Sequence, residues 1–276
     1  MKKRRADEAL IESMNLESIE LARALIMEGR VMAGDRKILR ASELIKPEEQ
    51  LRVRGELNAY VSRGAHKLKK ALAVFNINLN GKVCIDVGAS TGGFTDVMLR
   101  SGAKQVYAVD VGYNLLDYRL RSDSRVTCME RTNARFIRPE EFDPRPEFGA
   151  TDVSFISLKA VLPVALNVLE GDNRRFVALI KPQFEAPRED VGEKGVVRDR
   201  AVHERVLRDI LAFIPTTGWH VNGLDFSPIR GPEGNIEFLL DLMHTANETK
   251  NDIENQIKVT IDRAYDFFSK SAKGGL

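Results

Sequence analysis

Along the middle of the chain, short apolar runs at 83–87, 105–110, 125–129, 148–153 and 176–180 alternate with stretches at 93–101, 114–121 and 157–169 whose apolar positions repeat at helical spacing. A run of about five apolar residues suits a strand buried on both faces, and a repeat near 3.6 suits a helix with one buried stripe. The alternation predicts an α/β fold with a doubly wound, mainly parallel sheet. A helical pattern at 201–213 and two later strands at 219–225 and 235–242 suit an antiparallel hairpin that brings the sheet to seven strands. Ahead of the first strand, Val61, Ala65, Leu68, Leu72 and Phe75 predict a helix over 59–75. Ile253, Ile257, Ile261, Ala264 and Phe268 predict another over 249–269, packed on the outside.

The first 57 residues follow a different pattern. Leu10-Ile11, then Ile19, Ala22, Leu25 and Ile26, predict two short amphipathic helices, the second ended by Gly29. Residues 30–32, 37–39 and 51–53 read as short strands separated by Gly34-Asp35 and Lys46-Pro47 turns. The expected organisation is a small α+β domain over 1–57, a large α/β domain over 58–245, and a helical tail over 246–276 packed on the large domain.

Composition narrows the class without naming a function. The 276 residues are 43% hydrophobic, enough for a sizeable core, and 42 basic against 40 acidic side chains leave a formal charge of +2. Any nucleic-acid surface must therefore come from local clustering. Two cysteines, Cys84 and Cys128, are too few for a disulfide framework. The basic N-terminus leads into no apolar signal segment and no stretch is long and apolar enough to span a bilayer, so a cytoplasmic protein is expected. The four histidines show no metal-ligand spacing, and no metal is expected.

Candidate chemistry begins at KVCIDVGASTGGFT, Lys82 to Thr95, where an apolar strand enters a loop of small residues. Such a loop lets the backbone approach a nucleotide-like ligand closely. Gly88, Ser90 and Gly93 approximate the dinucleotide spacing, whereas Gly88, Ser90 and Gly92 fit the alternate-residue spacing common in S-adenosylmethionine enzymes, so the glycines alone leave the cofactor open. Phe94 adjoins the loop. Asp110, ending the second strand about 20 residues on, suits a ribose diol, and Asn133, after the third strand, suits an adenine edge. Ligands of such sheets sit at the carboxyl ends of the strands. Four ionisable residues converge there: Lys67 on the preceding helix, Asp152 ending the fourth strand, Lys181 just past the fifth, and Glu237 in a late strand.

Several motifs carry family resemblances. Ser18, Ala22, Leu25-Ile26, Gly29-Arg30-Val31 and Gly34 resemble the S-four-like RNA-binding domain, which implies RNA contacts from Arg4, Arg5, Arg23, Arg30, Arg36 and Lys37, with Arg63 beyond the domain. SRGAHKL, DVGASTGGFT, TDVSFISL, KPQFE, GVVRD and GPEGNIEFLL resemble the TlyA family of ribosomal RNA methyltransferases over nearly the whole chain, and the large domain is similar to FtsJ-type ribose methyltransferases. The resemblance implies a Rossmann-like class I methyltransferase fold, S-adenosyl-L-methionine as cofactor, ribosomal RNA or ribosomal subunits as partner, and cytidines at the subunit interface as targets. It also implies that Lys67, Asp152, Lys181 and Glu237 form a catalytic tetrad.

Ribose methylation explains the use of such a set. A 2′-hydroxyl is a weak nucleophile that must lose its proton as it attacks a sulfonium methyl in line, so it needs a base and fixed geometry. Lys181 is expected to orient and deprotonate the hydroxyl, although a neutral lysine at pH 7 costs about 4.6 kcal/mol. Lys67 is expected to hold substrate and disfavour charge on Lys181, with the two carboxylates positioning the amines. The segment 182–200 reads as a lid or RNA clamp through Arg188 or Lys194. Competing readings are a noncatalytic RNA-binding or ribosome-assembly factor, a membrane-active hemolysin, and a dinucleotide-dependent oxidoreductase.

Overall fold

In the computed structural model, which describes residues 3–14, 16, 19–27, 29–46, 48–54, 60–231, 233–245 and 252–273, the apolar runs become one seven-stranded sheet. The expected domain junction near Asn58 and the resemblance position Ser18 lie outside the described residues. The chain divides into two compact units, Met1–Tyr60 with Asp117–Asp123, and Val61–Leu116 with Ser124–Leu276.

In the smaller unit, β1 (Arg4–Arg5) leads into α1 (Ala6–Met14) and α2 (Ile19–Met27), followed by β2 (Val31–Ala33), β3 (Arg36–Lys37), β4 (Leu44–Ile45) and β5 (Leu51–Val53). The strands β3-β2-β5 form an antiparallel sheet. Leu10, Ala22, Leu25, Ile26, Val31 and Ile38 close the core of this unit. The pairing of β1 with β4 is absent from the sequence reading, because two-residue strands carry no measurable alternation.

The larger unit opens with α3 (Ala65–Val74), then runs β6 (Val83–Val87), α4 (Gly93–Arg100) and β7 (Gln105–Val109). After α5 (Tyr118–Arg121), which belongs to the smaller unit, come β8 (Val126–Met129), β9 (Phe148–Thr151), α6 (Leu158–Asn167), β10 (Arg174–Ile180), α7 (Pro182–Glu185), α8 (Arg200–Phe213), β11 (His220–Phe226), β12 (Phe238–His244) and α9 (Ile253–Lys273). The sheet order is β11-β12-β10-β9-β6-β7-β8, parallel except for β12, which runs antiparallel to both neighbours. Strand order reverses between β6 and β9, which places the ligand crevice at their carboxyl ends. Every residue of β6 is buried, as a central parallel strand covered on both faces requires. Phe148, Phe176 and Phe238 are fully buried in this unit, and Ile257, Ile261, Ala264 and Phe268 of α9 join its core.

Four expectations need correction. The helix expected from 59 begins at Ala65, because residues 61–64 form a turn in which the Val61 N–H donates to Asp96 (3.0 Å) and Gly64 precedes the first helical turn. The helix expected over 114–121 shrinks to Tyr118–Arg121, with Asp117 accepting from the Arg119 N–H as its cap. Glu237 precedes β12 rather than lying inside it. Residues 182–200 are not an open loop: α7 and two 3₁₀ turns shape them, and Val196 and Val197 are buried.

Candidate active site

The glycine loop and the ends of β7, β8 and β9 enclose a cleft of about 460 Å³, whose lining includes Gly88, Ser90, Asp110, Asn133 and Asp152. Gly88 has φ +83°, and a Cβ there would lie 3.0 Å from Val153 Cγ1, so glycine is required both for the turn and for the close approach. Asp110 uses both carboxylate oxygens on the backbone, accepting from the Ser90 N–H and the Gly112 N–H at 2.7 Å each. It thereby fixes the floor of the cleft as well as lining it. Asn133 accepts from the Arg135 N–H at 3.1 Å and forms part of the cleft wall.

A smaller cavity of about 240 Å³ adjoins the cleft, sharing Gly88, Ser90, Asp152 and Ser154 with it. Arg63, Gly93, Phe94, Lys67, Lys181 and Glu237 line it. A Cβ on Gly93 would meet Ser62 Oγ at 2.3 Å, so this glycine lets the 61–64 turn rest on the start of α4. Gly92 belongs to neither lining; at φ +94° it turns the chain into α4.

The four predicted ionisable residues form one chain of contacts. Asp152 bridges the two lysines, with Oδ2 3.0 Å from Lys67 Nζ and Oδ1 2.7 Å from Lys181 Nζ. Glu237 Oε2 lies 2.8 Å from Lys67 Nζ on the other side. Lys181 also donates to Ser154 Oγ (2.7 Å) and to the Asp152 carbonyl (3.3 Å). All but Asp152 are buried, with Glu237 at 1% exposure. Burial alone would pull the Lys67 amine down, but Asp152 and Glu237 outweigh it and raise its pKa, so Lys67 is an ammonium. Burial, opposed by Lys67, pushes the Glu237 carboxyl up. Asp152 thus stands between the two lysines, with Glu237 on the far side of Lys67.

Several contributors escaped the sequence reading. Ser154 completes the Lys181 contacts, and its signal was its place two residues after Asp152 in TDVSFISL. Phe155 is 91% exposed at φ +63°, a rare conformation for an aromatic residue, and its ring centroid lies 5.1 Å from that of Phe184. Glu185 accepts from Ser157 Oγ (2.6 Å) and the Leu158 N–H (2.7 Å), tying the end of KPQFE to the N-terminus of α6. Asp86 is fully buried at the base of the smaller cavity. Its Oδ2 accepts from the Thr95 N–H and hydroxyl, its Oδ1 has no hydrogen-bond partner, and burial pushes its pKa up to about 7.

The residues expected to meet RNA are mostly engaged with acids. Arg5 and Arg23 pair with Asp7 at 2.8 and 3.0 Å, Arg4 pairs with Glu12, and Arg36 pairs with Glu43 and Glu49. Arg30 donates to the Arg54 carbonyl, while Lys37 and Arg63 are exposed. The pairs of Arg4 and Arg36 are exposed, worth little and exchangeable for phosphate contacts, whereas Asp7 is fully buried and holds Arg5 and Arg23 in the structure of the unit. Among the described residues no cluster could hold a metal ion, and no helix is long and apolar enough to cross a membrane.

A family model described as FtsJ-like methyltransferase matches residues 60–243. The chain is 50% identical over 242 residues to the Bacillus subtilis protein named "Putative rRNA methyltransferase YqxC", covering 87% of this chain and 86% of that one. It is 40% identical over 237 residues to the 16S/23S rRNA (cytidine-2′-O)-methyltransferase TlyA of Mycobacterium tuberculosis, covering 86% and 88%. A solved structure described as "Putative hemolysin from Streptococcus thermophilus" is 45% identical, covers 99% of both chains and superposes with a TM-score of 0.75.

Proposed function

The chain belongs to the FtsJ-like methyltransferase family, and from that premise we propose that it is an S-adenosylmethionine-dependent 2′-O-methyltransferase of ribosomal RNA, acting on a cytidine ribose. The observation that carries the reading is the Lys67–Asp152–Lys181–Glu237 chain beside the glycine-loop cleft. The hemolysin names of some relatives find no membrane-spanning helix among the described residues to support them. A working place in the cytoplasm, alongside ribosomal subunits, follows from this substrate.

The cleft and the smaller cavity beside it suit the cofactor: a bare glycine turn and a carboxylate at the floor of the cleft offer a nucleoside what it needs, and the unpartnered Asp86 Oδ1 in the smaller cavity suits a cationic group. Gly88, Ser90, Gly93, Phe94, Asp110 and Asn133 would hold it, with Gly92 shaping the turn. Bound there, S-adenosylmethionine supplies an electrophilic sulfonium methyl group. Lys181 serves as the proton acceptor. In the ion-paired site its Nζ donates to Ser154 Oγ and the Asp152 carbonyl and lies 2.7 Å from Asp152 Oδ1; loss of one proton to solvent frees the lone pair that takes the proton of the attacking hydroxyl. Asp152 holds that amine in place, and Lys67, anchored by Glu237, holds Asp152. The exposed Phe155 ring, beside Phe184, offers a stacking face for the base carried by the reacting ribose.

The test is methyl transfer from radiolabelled S-adenosylmethionine to unmodified ribosomal RNA and to intact subunits. Wild type leaves label in alkali-resistant 2′-O-methyl nucleotides, and Lys181→Ala lowers the single-turnover rate by about 10²-fold or more. The wild-type log rate rises with pH with a slope of about 1 until the amine is free, while the variant is flat. A chain that binds cofactor but methylates no RNA would overturn the reading; a pH profile unchanged by Lys181→Ala would overturn the role of Lys181.

A further inference from the structure

A second cavity, of about 630 Å³, lies away from the tetrad against the C-terminal half of α6. Arg174 opens β10 and Lys181 follows its last residue, so one seven-residue strand, roughly 23 Å, separates the two sites. The cavity is lined by three arginines, Arg135, Arg138 and Arg174, and by no carboxylate. Arg174 donates to His244 Nδ1 (2.7 Å) and the Leu169 carbonyl (3.3 Å), both neutral acceptors, and its buried Nε has no hydrogen-bond partner. Among the described residues no carboxylate pairs with Arg174 or Arg135. Arg138 meets one, Glu141, at a long 3.5 Å, and remains 72% exposed.

A half-buried guanidinium whose Nε is enclosed and unpartnered, and whose other nitrogens meet only neutral groups, is an incomplete arrangement, because the cost of taking charge from water is normally met by an opposite charge. The surroundings register the same excess: burial and the charges of Arg174 and His220 lower the pKa of His244, which leaves it a neutral acceptor. Beside the arginines, Phe136 presents a ring that is 70% exposed, and the Arg135 guanidinium lies 5.3 Å from its centroid. Cationic groups that match phosphate geometry next to an open aromatic face are the elements that hold single-stranded RNA. Arg135 also lines the cofactor cleft, so one arginine borders both sites.

We propose that this basic, acid-free cavity is a second RNA-docking site, in which Arg138 and Arg174 bind a backbone phosphate of the substrate and Phe136 stacks an adjoining unpaired base. The assignment rests on the reading of the protein as an RNA methyltransferase, and it adds Phe136, Arg138 and Arg174 of the larger unit to the residues expected to contact RNA.

The experiment measures binding of unmodified ribosomal RNA by the full chain across a salt series, for wild type, Arg138→Glu, Phe136→Ala and Arg138→Glu/Arg174→Gln, with cofactor affinity measured in parallel. Arg138 and Phe136 are exposed, so their variants test the site even if the loss of Arg174 disturbs β10. The expected result is RNA affinity about tenfold weaker in the double variant, a salt slope shallower by about one ion per lost phosphate contact, and unchanged cofactor affinity. RNA affinity and salt slope equal to wild type in all three variants would overturn the proposal. Inorganic phosphate and a ribonucleoside monophosphate form a separate arm: if either binds wild type but not the double variant while RNA affinity is untouched, the cavity is a free-anion site and the RNA assignment falls. Binding is read without methyl transfer, so absent catalysis with intact, variant-sensitive RNA binding would count against the proposed function alone.

Discussion

At the scale of single residues, Asp86 shows how a strand position can acquire chemistry that its neighbours in the sequence do not announce. It sits among Val83, Cys84, Ile85 and Val87 in a fully buried strand, so periodicity marks it as an interruption and nothing more. Tertiary packing buries it completely with one oxygen unpartnered, and its pKa rises to about 7 from an ordinary 3.8. Because the folded state then holds this proton more tightly than the unfolded state, its contribution to stability is fully present below about pH 4 and is lost as pH rises through about 7. The cofactor-free protein should lose a few kcal/mol of stability across that interval, and Asp86→Asn should flatten the profile. Urea unfolding at pH 5 and pH 8 measures this; a variant as pH-sensitive as wild type would assign the dependence elsewhere. Cys84, in the same strand, has its thiol pushed up to about 12 by burial and should resist alkylation while the fold is intact.

At the scale of elements, the sheet was legible because its strands are buried on both faces, while its tolerances were not. Gly149 in β9 looks interchangeable with alanine in a sequence, yet a Cβ there would stand 2.5 Å from two ring carbons of Phe176 and 3.1 Å from Ile85 Cγ2. Phe176 is fully enclosed and has nowhere to move. Gly149→Ala is expected to cost about 1–3 kcal/mol by overpacking, read as a lower urea midpoint with an unchanged m-value. The helix expected over 59–75 failed at its start for a comparable reason. Val61 and Ala65 do share a helical spacing, but Asp96 of α4 captures the Val61 N–H and fixes a turn there. Glu185 likewise caps α6 from 27 residues away in the chain, a partnership that local capping signals cannot reveal.

At the scale of the whole molecule, each unit closes its own core, and among the described residues the smaller one buries one acid, Asp7. Asp7 is enclosed between Arg5 and Arg23, and the Arg5 guanidinium, against the effect of burial and with help from Arg23, holds its carboxyl down to about 2. A depressed carboxyl pKa contributes stability that is present above about pH 4 and lost as pH falls through about 2. Amide protection in α1 and α2 should therefore fall over that window. Asp7→Asn should be less stable than wild type at pH 6 and insensitive to the same acidification; hydrogen exchange at pH 6 and pH 3 checks both. The strand–helix alternation, the glycine turn and the identities of Lys67, Asp152, Lys181 and Glu237 were determined by the sequence itself, because apolar periodicity, backbone permissiveness and ionisable chemistry are local properties. Tertiary structure alone decided that Asp152 would bridge both lysines, that Ser154 and Phe155 would join the site, and that Arg174 would face a cavity without an acid. Those outcomes depend on distances across β6, β9, β10 and β12, strands far apart in the chain, and on how much water each group loses when they come together.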